Sequence, residues 1–410
     1  MSFLGLKSES ERFGVIIDIG SGSVLMSIVH SVDSLKHPNI VWSHRENAPL
    51  KNIDSIDQST KSVITALFNA AMILDSEGRK ALHEYKPGAK ISSIQCGISA
   101  PWSYTVTKTI NYVQDEPFII TSELISDLTD AVQDKISADL NEDKILSKLG
   151  LEIVLRSTMH VLSNGYRVLK PQGQKSKELN IAHANVVVQK KLVDAIEEMH
   201  DKIFAHTEIK KSSFIIILYS VVKDLLPQTF DSCLVDITYE ATEIGIIRNG
   251  VMSYCTHIPF GSFSLAREIS AITSVPLHEA LGYLHTEKPY SFMESLASNQ
   301  KEDVEKVFDA YIEKVSELFL QTGDSLTIPK HISLHADLYS ETLFTDLIEK
   351  AAKRCTHTQP IITAISKELI KQTYETTTEA TAETIPIDTA LLVSAQFFHK
   401  QQKFINYDYL

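Results

Sequence analysis

Two stretches 218 residues apart share one design, and that repeat limits what the chain can fold into more than any other feature. Val15-Ile-Ile-Asp18-Ile-Gly20-Ser21-Gly22-Ser23 leads into an apolar run ending at Val29, and Cys233-Leu-Val-Asp236-Ile-Thr238-Tyr239-Glu240-Ala241-Thr242 leads into a run ending at Ile247. Each is an apolar strand closed by Asp-Ile, then a turn of mostly small or polar residues, then a second strand. Consecutive backbone amides in such a turn form an anion-binding nest. An aspartate beside it suits Mg²⁺ held through water, because magnesium keeps most of its hydration shell. Two such turns facing each other across a cleft would clamp the phosphates of a nucleotide, where catalysis is mostly positioning and electrostatics. A single copy is an ordinary β-hairpin whose aspartate bonds its own backbone. Two copies, each opening a three-strand meander in its own half of the chain, predict a duplicated α/β architecture.

Strand and helix patterns alternate along the rest of the chain, as α/β layering requires. Phe13–Ile19, Val24–His30, Asn39–His44 and Ile91–Ile98 read as strands, and Ser59–Leu82 has helical apolar spacing. Between these and Ala182–Gln189, a further strand, the texture changes. Tyr104–Val113, a helix opened by Ser122, and a hairpin around Ser163-Asn164-Gly165 predict an inserted α+β module. The apolar run Phe214–Val222 reads as a buried strand entering a helix. It is about half the length that spans a bilayer. Cys233–Ile237, Thr242–Arg248 and Val251–Ile258 form the second meander, with a tight turn at Asn249-Gly250. Helices follow at Ser264–Ala271, Pro276–Leu284 and Glu302–Thr322. A strand at 331–335, a helix over Ser340–Arg354, a Thr- and Glu-rich loop at Gln372–Thr384 and a last helix over Ile387–His399 complete the chain. The predicted division places residues 1–101 and 180–210 in a first lobe and 102–179 in the inserted module. Residues 211–259 and 329–410 fall in a second lobe, with 260–328 its helical subdomain.

The formal charge of −13 opposes non-specific nucleic-acid binding, which needs a basic surface to displace phosphate counterions. Four scattered cysteines without a CxxC pair exclude a disulfide scaffold or zinc knuckle and fit a reducing, cytoplasmic setting. His331 and His335 are four apart on a strand, without the spacing of a metal motif, and no Gly-x-Ser-x-Gly elbow supports hydrolase chemistry.

These residues resemble the actin-like ATPase superfamily, and within it the bacterial cell-division FtsA family, with the pilus-assembly PilM family as second choice. Asp18-Ile-Gly-Ser-Gly-Ser23 is similar to the first phosphate loop. Val235–Gly250 followed by His257-Ile-Pro-Phe-Gly261 is similar to the second phosphate segment. Asn164-Gly-Tyr166 and Pro171-Gln-Gly173 resemble elements of the FtsA inserted subdomain, and Ile332–Leu338 occupies the adenosine-segment position. The resemblance implies a two-lobed actin-like, duplicated ribonuclease H-like fold with an SHS2-type insert. It implies ATP and Mg²⁺ contacts at Asp18, Gly20, Ser21, Gly22, Ser23, Asp236, Thr238, Thr242, His335, Ala336 and Asp337, with the metal held through water by Asp18 and Asp236. It also implies a scaffold at the inner face of the cell membrane that self-assembles and holds a protein partner, either a tubulin-like division protein or a peptide of a pilus inner-membrane protein. An actin-fold small-molecule kinase is disfavoured, because no third catalytic carboxylate can be assigned.

The departures concern glycine. The chain has 15, where average usage would give about 29. Thr238-Tyr239-Glu240 stands where the second loop is usually glycine-rich, and Ala336-Asp337 replaces paired glycines in the adenosine segment. A Cβ at such positions blocks the close approach of backbone to phosphate. Two states of the cleft satisfy these residues: an altered nucleotide site that keeps Asp18, Ser21, Ser23 and Asp236, or a vestigial cleft in a scaffold that is at most a weak ATPase. At the C-terminus, Phe397, Phe398, Phe404 and Ile405 beside Lys400 and Lys403 make a short apolar and basic patch. It is expected to pack back on the domain rather than touch a membrane.

Overall fold

The computed structural model describes residues 11–48, 56–142, 150–286, 288–321, 328–336, 341–356, 359–374 and 388–404. Its first sheet has the order β3-β2-β1-β4-β9. Strands β1 (Glu11–Ile19), β2 (Ser23–Val32) and β3 (Asn39–Asn47) form an antiparallel meander. Strand β4 (Ile91–Ile98) then runs parallel to β1, and β9 (Glu208–Ser213) parallel to β4.

The second sheet, β12-β11-β10-β13-β14, repeats this plan strand for strand. Its meander is β10 (Ser232–Ile237), β11 (Thr242–Arg248) and β12 (Val251–Ile258). Strands β13 (His331–Ala336) and β14 (Ile361–Ala364) add in parallel. The duplication read from the two aspartate turns is therefore a duplication of whole sheets, with Asp18 and Asp236 at equivalent places on their central strands.

A third, antiparallel sheet, β5-β8-β6-β7, is the inserted module. It is built from β5 (Ser103–Ile119), β6 (Leu151–Ser163), β7 (Tyr166–Arg167) and β8 (Lys175–Gln189), with helix α3 (Ser122–Glu142). Apolar residues of β5, β6, β8 and α3, among them Ile110, Ile125, Val161 and Ile181, form its small core. The hairpin turn at Asn164-Gly165 has positive φ at both residues (50° and 81°), as does Asn249-Gly250 (51° and 74°). These are the conformations the Asn-Gly pairs predict.

Helix α1 (Ile56–Ile73) continues through one π-helical turn at Leu74–Gly78 into α2 (Arg79–Tyr85). With α4 (Lys190–Ile203) and α5 (Phe214–Leu225) it packs on the first sheet. Helices α6 (Ser262–Thr273), α7 (Leu277–Tyr283), α8 (Ser298–Leu320) and α9 (Glu341–Thr356) pack on the second. A short helix α10 (Lys367–Tyr374) and α11 (Thr389–Phe404) close the described chain.

Several placements differ from the sequence expectation, and one is a boundary: residues 180–189, expected in the first lobe, belong to β8 of the module's sheet, where they pair with β5 and β6. The Phe214–Val222 run is helix throughout, and the strand lies just before it, in the polar stretch Glu208–Ser213. A short apolar run does not distinguish a strand from a buried helix. As far as Val222 nearly every side chain of α5 is buried, including Phe214, Ile215, Ile217, Leu218, Val221 and Val222, so this part of the helix is apolar all round. Helix α11, expected with the second lobe, instead packs Leu391, Ala395 and Phe398 on Ile16, Leu25 and Val29 of the first sheet. Phe398 fits a notch that only glycine leaves, since a Cβ on Gly14 would lie 2.1 Å from its ring. The buried Phe398 turns the aromatic end of the chain inward. The side chains of Lys403 and Phe404, together with Ile405, fall outside the described residues, as do Asp337 and most of the Thr- and Glu-rich loop.

Candidate functional site: the cleft between the aspartate turns

Strand β1 delivers Asp18 and the first loop, Gly20 to Ser23, to one wall of the cleft. Strand β10 delivers Asp236 and the second loop, Thr238 to Ala241, to the other. The two loops touch. The Ser21 hydroxyl donates to Thr238 Oγ1 (2.9 Å) and accepts from the Glu240 amide (2.9 Å). Tyr239 lies directly on Gly22, where a Cβ would come within 2.6 Å of the ring. Gly22 is thus used for close approach, but of a tyrosine ring rather than a phosphate. Asp18, Ser21, Ser23, Asp236, Thr238 and His335 are all buried by the chain itself.

The second loop is fixed from behind as well. Thr238 and Tyr239 carbonyls accept from the amides of Ser262 (3.0 Å) and Phe263 (2.8 Å) in the first turn of α6. Those amides have no partner within their own helix; here the protein's own loop satisfies them. Gly261 makes the contact possible, because a Cβ there would lie 2.2 Å from the Thr238 carbonyl oxygen. Glu240 turns away from the first loop into a two-pronged ion pair with Arg267 (2.7 and 3.0 Å). Its charge is therefore not aimed at the position of a phosphate.

Asp18 has a cation of its own. Arg45, on β3, donates through Nη1 to Ser23 Oγ (2.7 Å) and through Nε to Asp388 Oδ2 (2.9 Å), and its Nη2 lies 3.4 Å from Asp18 Oδ2. Asp388 also caps α11, its Oδ1 accepting from the Leu391 amide (2.8 Å). One guanidinium thus joins the first loop, the central strand and the terminal helix. Burial pushes the Asp18 carboxyl up to about 6 in spite of Arg45, and the Asp388 and Asp236 charges add to the rise.

Across the cleft, His335 Nδ1 lies 2.7 Å from Asp236 Oδ1, and the Phe214 ring of α5 packs on the imidazole. Glu243 sits opposite Asp236 in the β10–β11 ladder and is equally buried. Burial, with the neighbouring Asp236 charge, pushes its carboxyl up to about 8 against the pull of the Cys255 thiol, which donates to it at 3.3 Å. Asp236 Oδ2 and Glu243 Oε2 have no hydrogen-bond partner among the described residues.

The sequence-predicted residues therefore divide. Ser21, Gly22 and Thr238 meet at the loop contact, Asp18 and Ser23 share Arg45, and Asp236 and His335 form a buried pair. Gly20 belongs to the first loop but its backbone is engaged: its amide donates to the Ser23 carbonyl (3.0 Å) and its carbonyl accepts from the Trp102 indole (3.0 Å). Thr242 faces the other way, donating to the Phe260 carbonyl (2.8 Å) and lying 2.9 Å from the Tyr311 hydroxyl. Ala336 is part of the second lobe's apolar core. Arg45, Asp388 and Glu243 are absent from the sequence expectation. Asp388 carries a readable signal, an Asp one position before an apolar helix; Arg45 and Glu243 carry none.

This geometry does not fit a nucleotide with Mg²⁺. A tyrosine ring covers the glycine meant to approach phosphate, a guanidinium already neutralises Asp18, and Asp236 is engaged by His335. Among the described residues no three His, Cys, Asp or Glu side chains are grouped to hold a metal ion.

No family model and no curated protein matches the sequence. Among solved structures, the PilM-PilN type IV pilus biogenesis complex is similar over 95% of this chain and 99% of that chain, with a TM-score of 0.60 at 10% identity. The ethanolamine utilization protein EutJ from Carboxydothermus hydrogenoformans is similar over 94% of this chain and 89% of that one, with a TM-score of 0.44 at 10% identity. A Bacteroides thetaiotaomicron protein with actin-like ATPase fold covers 86% of this chain and 91% of its own, with a TM-score of 0.38 at 10% identity. The chain has the two-lobed actin-like ATPase fold that its duplicated sheets imply.

Proposed function

We propose that the chain is a scaffold of PilM type, an actin-fold protein that holds a segment of a partner protein and keeps its own nucleotide cleft shut. The observation that carries this is the contact of the two loops through Ser21, Thr238 and the Glu240 amide, sealed by Tyr239 on Gly22. A switch driven by ATP must open its loops to phosphate; here each element that would bind phosphate is spent on another part of the chain. The similarity to the PilM-PilN complex, over nearly the full length of both chains, supports a pilus-assembly partner. The Asn164-Gly-Tyr166 and Pro171-Gln-Gly173 elements of the module favour, as a second reading, an FtsA-like division scaffold that self-assembles and holds a tubulin-like partner. Among the described residues no helix is long and apolar enough to cross a membrane. The test is surface plasmon resonance on the immobilised chain, offered the cytoplasmic peptide of a pilus inner-membrane protein and, separately, a tubulin-like division protein. The pilus reading expects saturable binding of the peptide without nucleotide. Binding of the division protein alone selects the second reading, and binding that requires ATP defeats the shut cleft.

A further inference from the structure

The crevice where the inserted module meets α5 and the turn between β11 and β12 gathers cations that form no ion pair with a carboxylate among the described residues. Strand β7 places Arg167 opposite Leu162 at the free edge of the module's sheet. From there it acts on Lys223 and Tyr219 of α5 and on His160 of β6. Lys223 donates to the Tyr219 hydroxyl at 3.3 Å and lies over its ring, 5.0 Å from the centre. Tyr219 in turn donates to the Gly250 carbonyl (2.8 Å), so the turn between β11 and β12 forms the facing wall. Desolvation and repulsion from Arg167 lower the Lys223 ammonium; desolvation and repulsion from both cations lower His160, and no carboxylate offsets either. Around this cluster three apolar side chains stand out in solvent: Tyr166 at 78% exposure, Leu169 at 64% and Phe230 at 70%. The Phe230 carbonyl accepts from the Gly250 amide (2.7 Å), which ties that residue to the same wall.

Like charges gathered without a counter-ion raise the energy of the folded chain, and an added anion removes that cost. In a protein of net charge −13, an unneutralised basic cluster beside exposed apolar side chains is a local reversal of the surface. We propose that this crevice is the docking site for an acidic, partly apolar segment of a partner protein, with carboxylates on Arg167 and Lys223 and apolar side chains against Tyr166, Leu169 and Phe230. An extended peptide suits the place better than a lipid surface, because the cations and exposed apolar side chains come from separate segments, β7 and its flank, α5 and the segment before β10, rather than from one continuous helix face.

The proposal rests on the scaffold reading and names the chemistry of the partner. A short labelled peptide of alternating Glu and Leu, followed by fluorescence anisotropy, tests it on the full chain. Saturable binding is expected to weaken with added salt and to fall roughly tenfold in Lys223→Gln or Arg167→Gln. Both variants should melt no lower than the parent, because each relieves a repulsion. Absence of saturable binding, equal binding of the same peptide with Gln in place of Glu, or unchanged affinity in both variants would overturn the proposal. So would capture of phosphatidylglycerol vesicles, but not of the peptide, through these residues. Failure here leaves the shut cleft standing, whereas Mg-ATP binding alongside peptide binding would remove the scaffold reading and keep the crevice.

Discussion

Arg45 shows how much a single side chain can decide in this cleft. It is largely buried and answers two carboxylates, so removing it leaves both without their cation. Breaking such a pair on one side costs about 3–5 kcal/mol when burial is complete. Arg45 and Asp388 keep some exposure, so Arg45→Met should destabilise by about 2 kcal/mol, measured by urea unfolding. Gly22 and Tyr239 give a second test at this scale. Gly22→Ala should cost about 2 kcal/mol from overpacking, and much less in a Tyr239→Ala background. A double-mutant cycle without coupling would mean that the ring does not sit on the loop. Glu243 gives a pH dependence. Its folded value of about 8 lies above its ordinary 4.5, so between these pH values the native state holds a proton that the unfolded chain has lost. Stability should therefore fall as pH rises through that window, and the Glu243→Gln variant should lose most of the slope and melt higher at pH 8. Asp18 acts in the same sense at lower pH, between its ordinary 3.8 and about 6.

At the scale of elements, Gly261 holds the start of α6 against the second loop. Gly261→Ala would force its Cβ into backbone, which cannot swing aside as a side chain can. Lowered melting temperature with faster amide exchange at Ser262 and Phe263 is the expected result; unchanged exchange would show that these amides are not held by the loop. Much of this level was readable in the sequence. The two strand–turn–strand units, the Asn-Gly hairpins and the module all follow from local patterns of β-branched runs and turn residues. Strand β9 was not, because Glu208-Ile-Lys-Lys-Ser-Ser213 has little strand character of its own and earns its place only by pairing with β4. The helix α5 was hidden for the opposite reason, since complete burial erases the periodicity that marks a helix. In the cleft, the sequence could show which glycines were missing, but not that Tyr239 would fill the space. Nor could it show that Arg45, remote in sequence from Asp388, would close the ring of charges.

Across the whole molecule, the first lobe's core extends to Leu234, Ile247 and Met252 of the second sheet, and a polar seam joins the parts as well. The lobes meet directly at Ser21 and Thr238, and β5 of the module ties to both: Thr105 lies 2.7 Å from Ser213 of the first sheet, while Thr107 donates to the Ser253 carbonyl (2.7 Å) and Tyr104 packs against the His257 ring of the second. Side chains and backbone of the chain itself bridge the two aspartate loops. On the proposed scaffold reading, the chain keeps the actin-like ATPase fold and uses its cleft as a joint. Titration of the full chain with a fluorescent ATP analogue in the presence of Mg²⁺ tests this most directly. The predicted result is no saturable binding up to millimolar nucleotide, with a melting temperature unchanged by Mg-ATP. Micromolar binding that disappears in Asp18→Ala would contradict it.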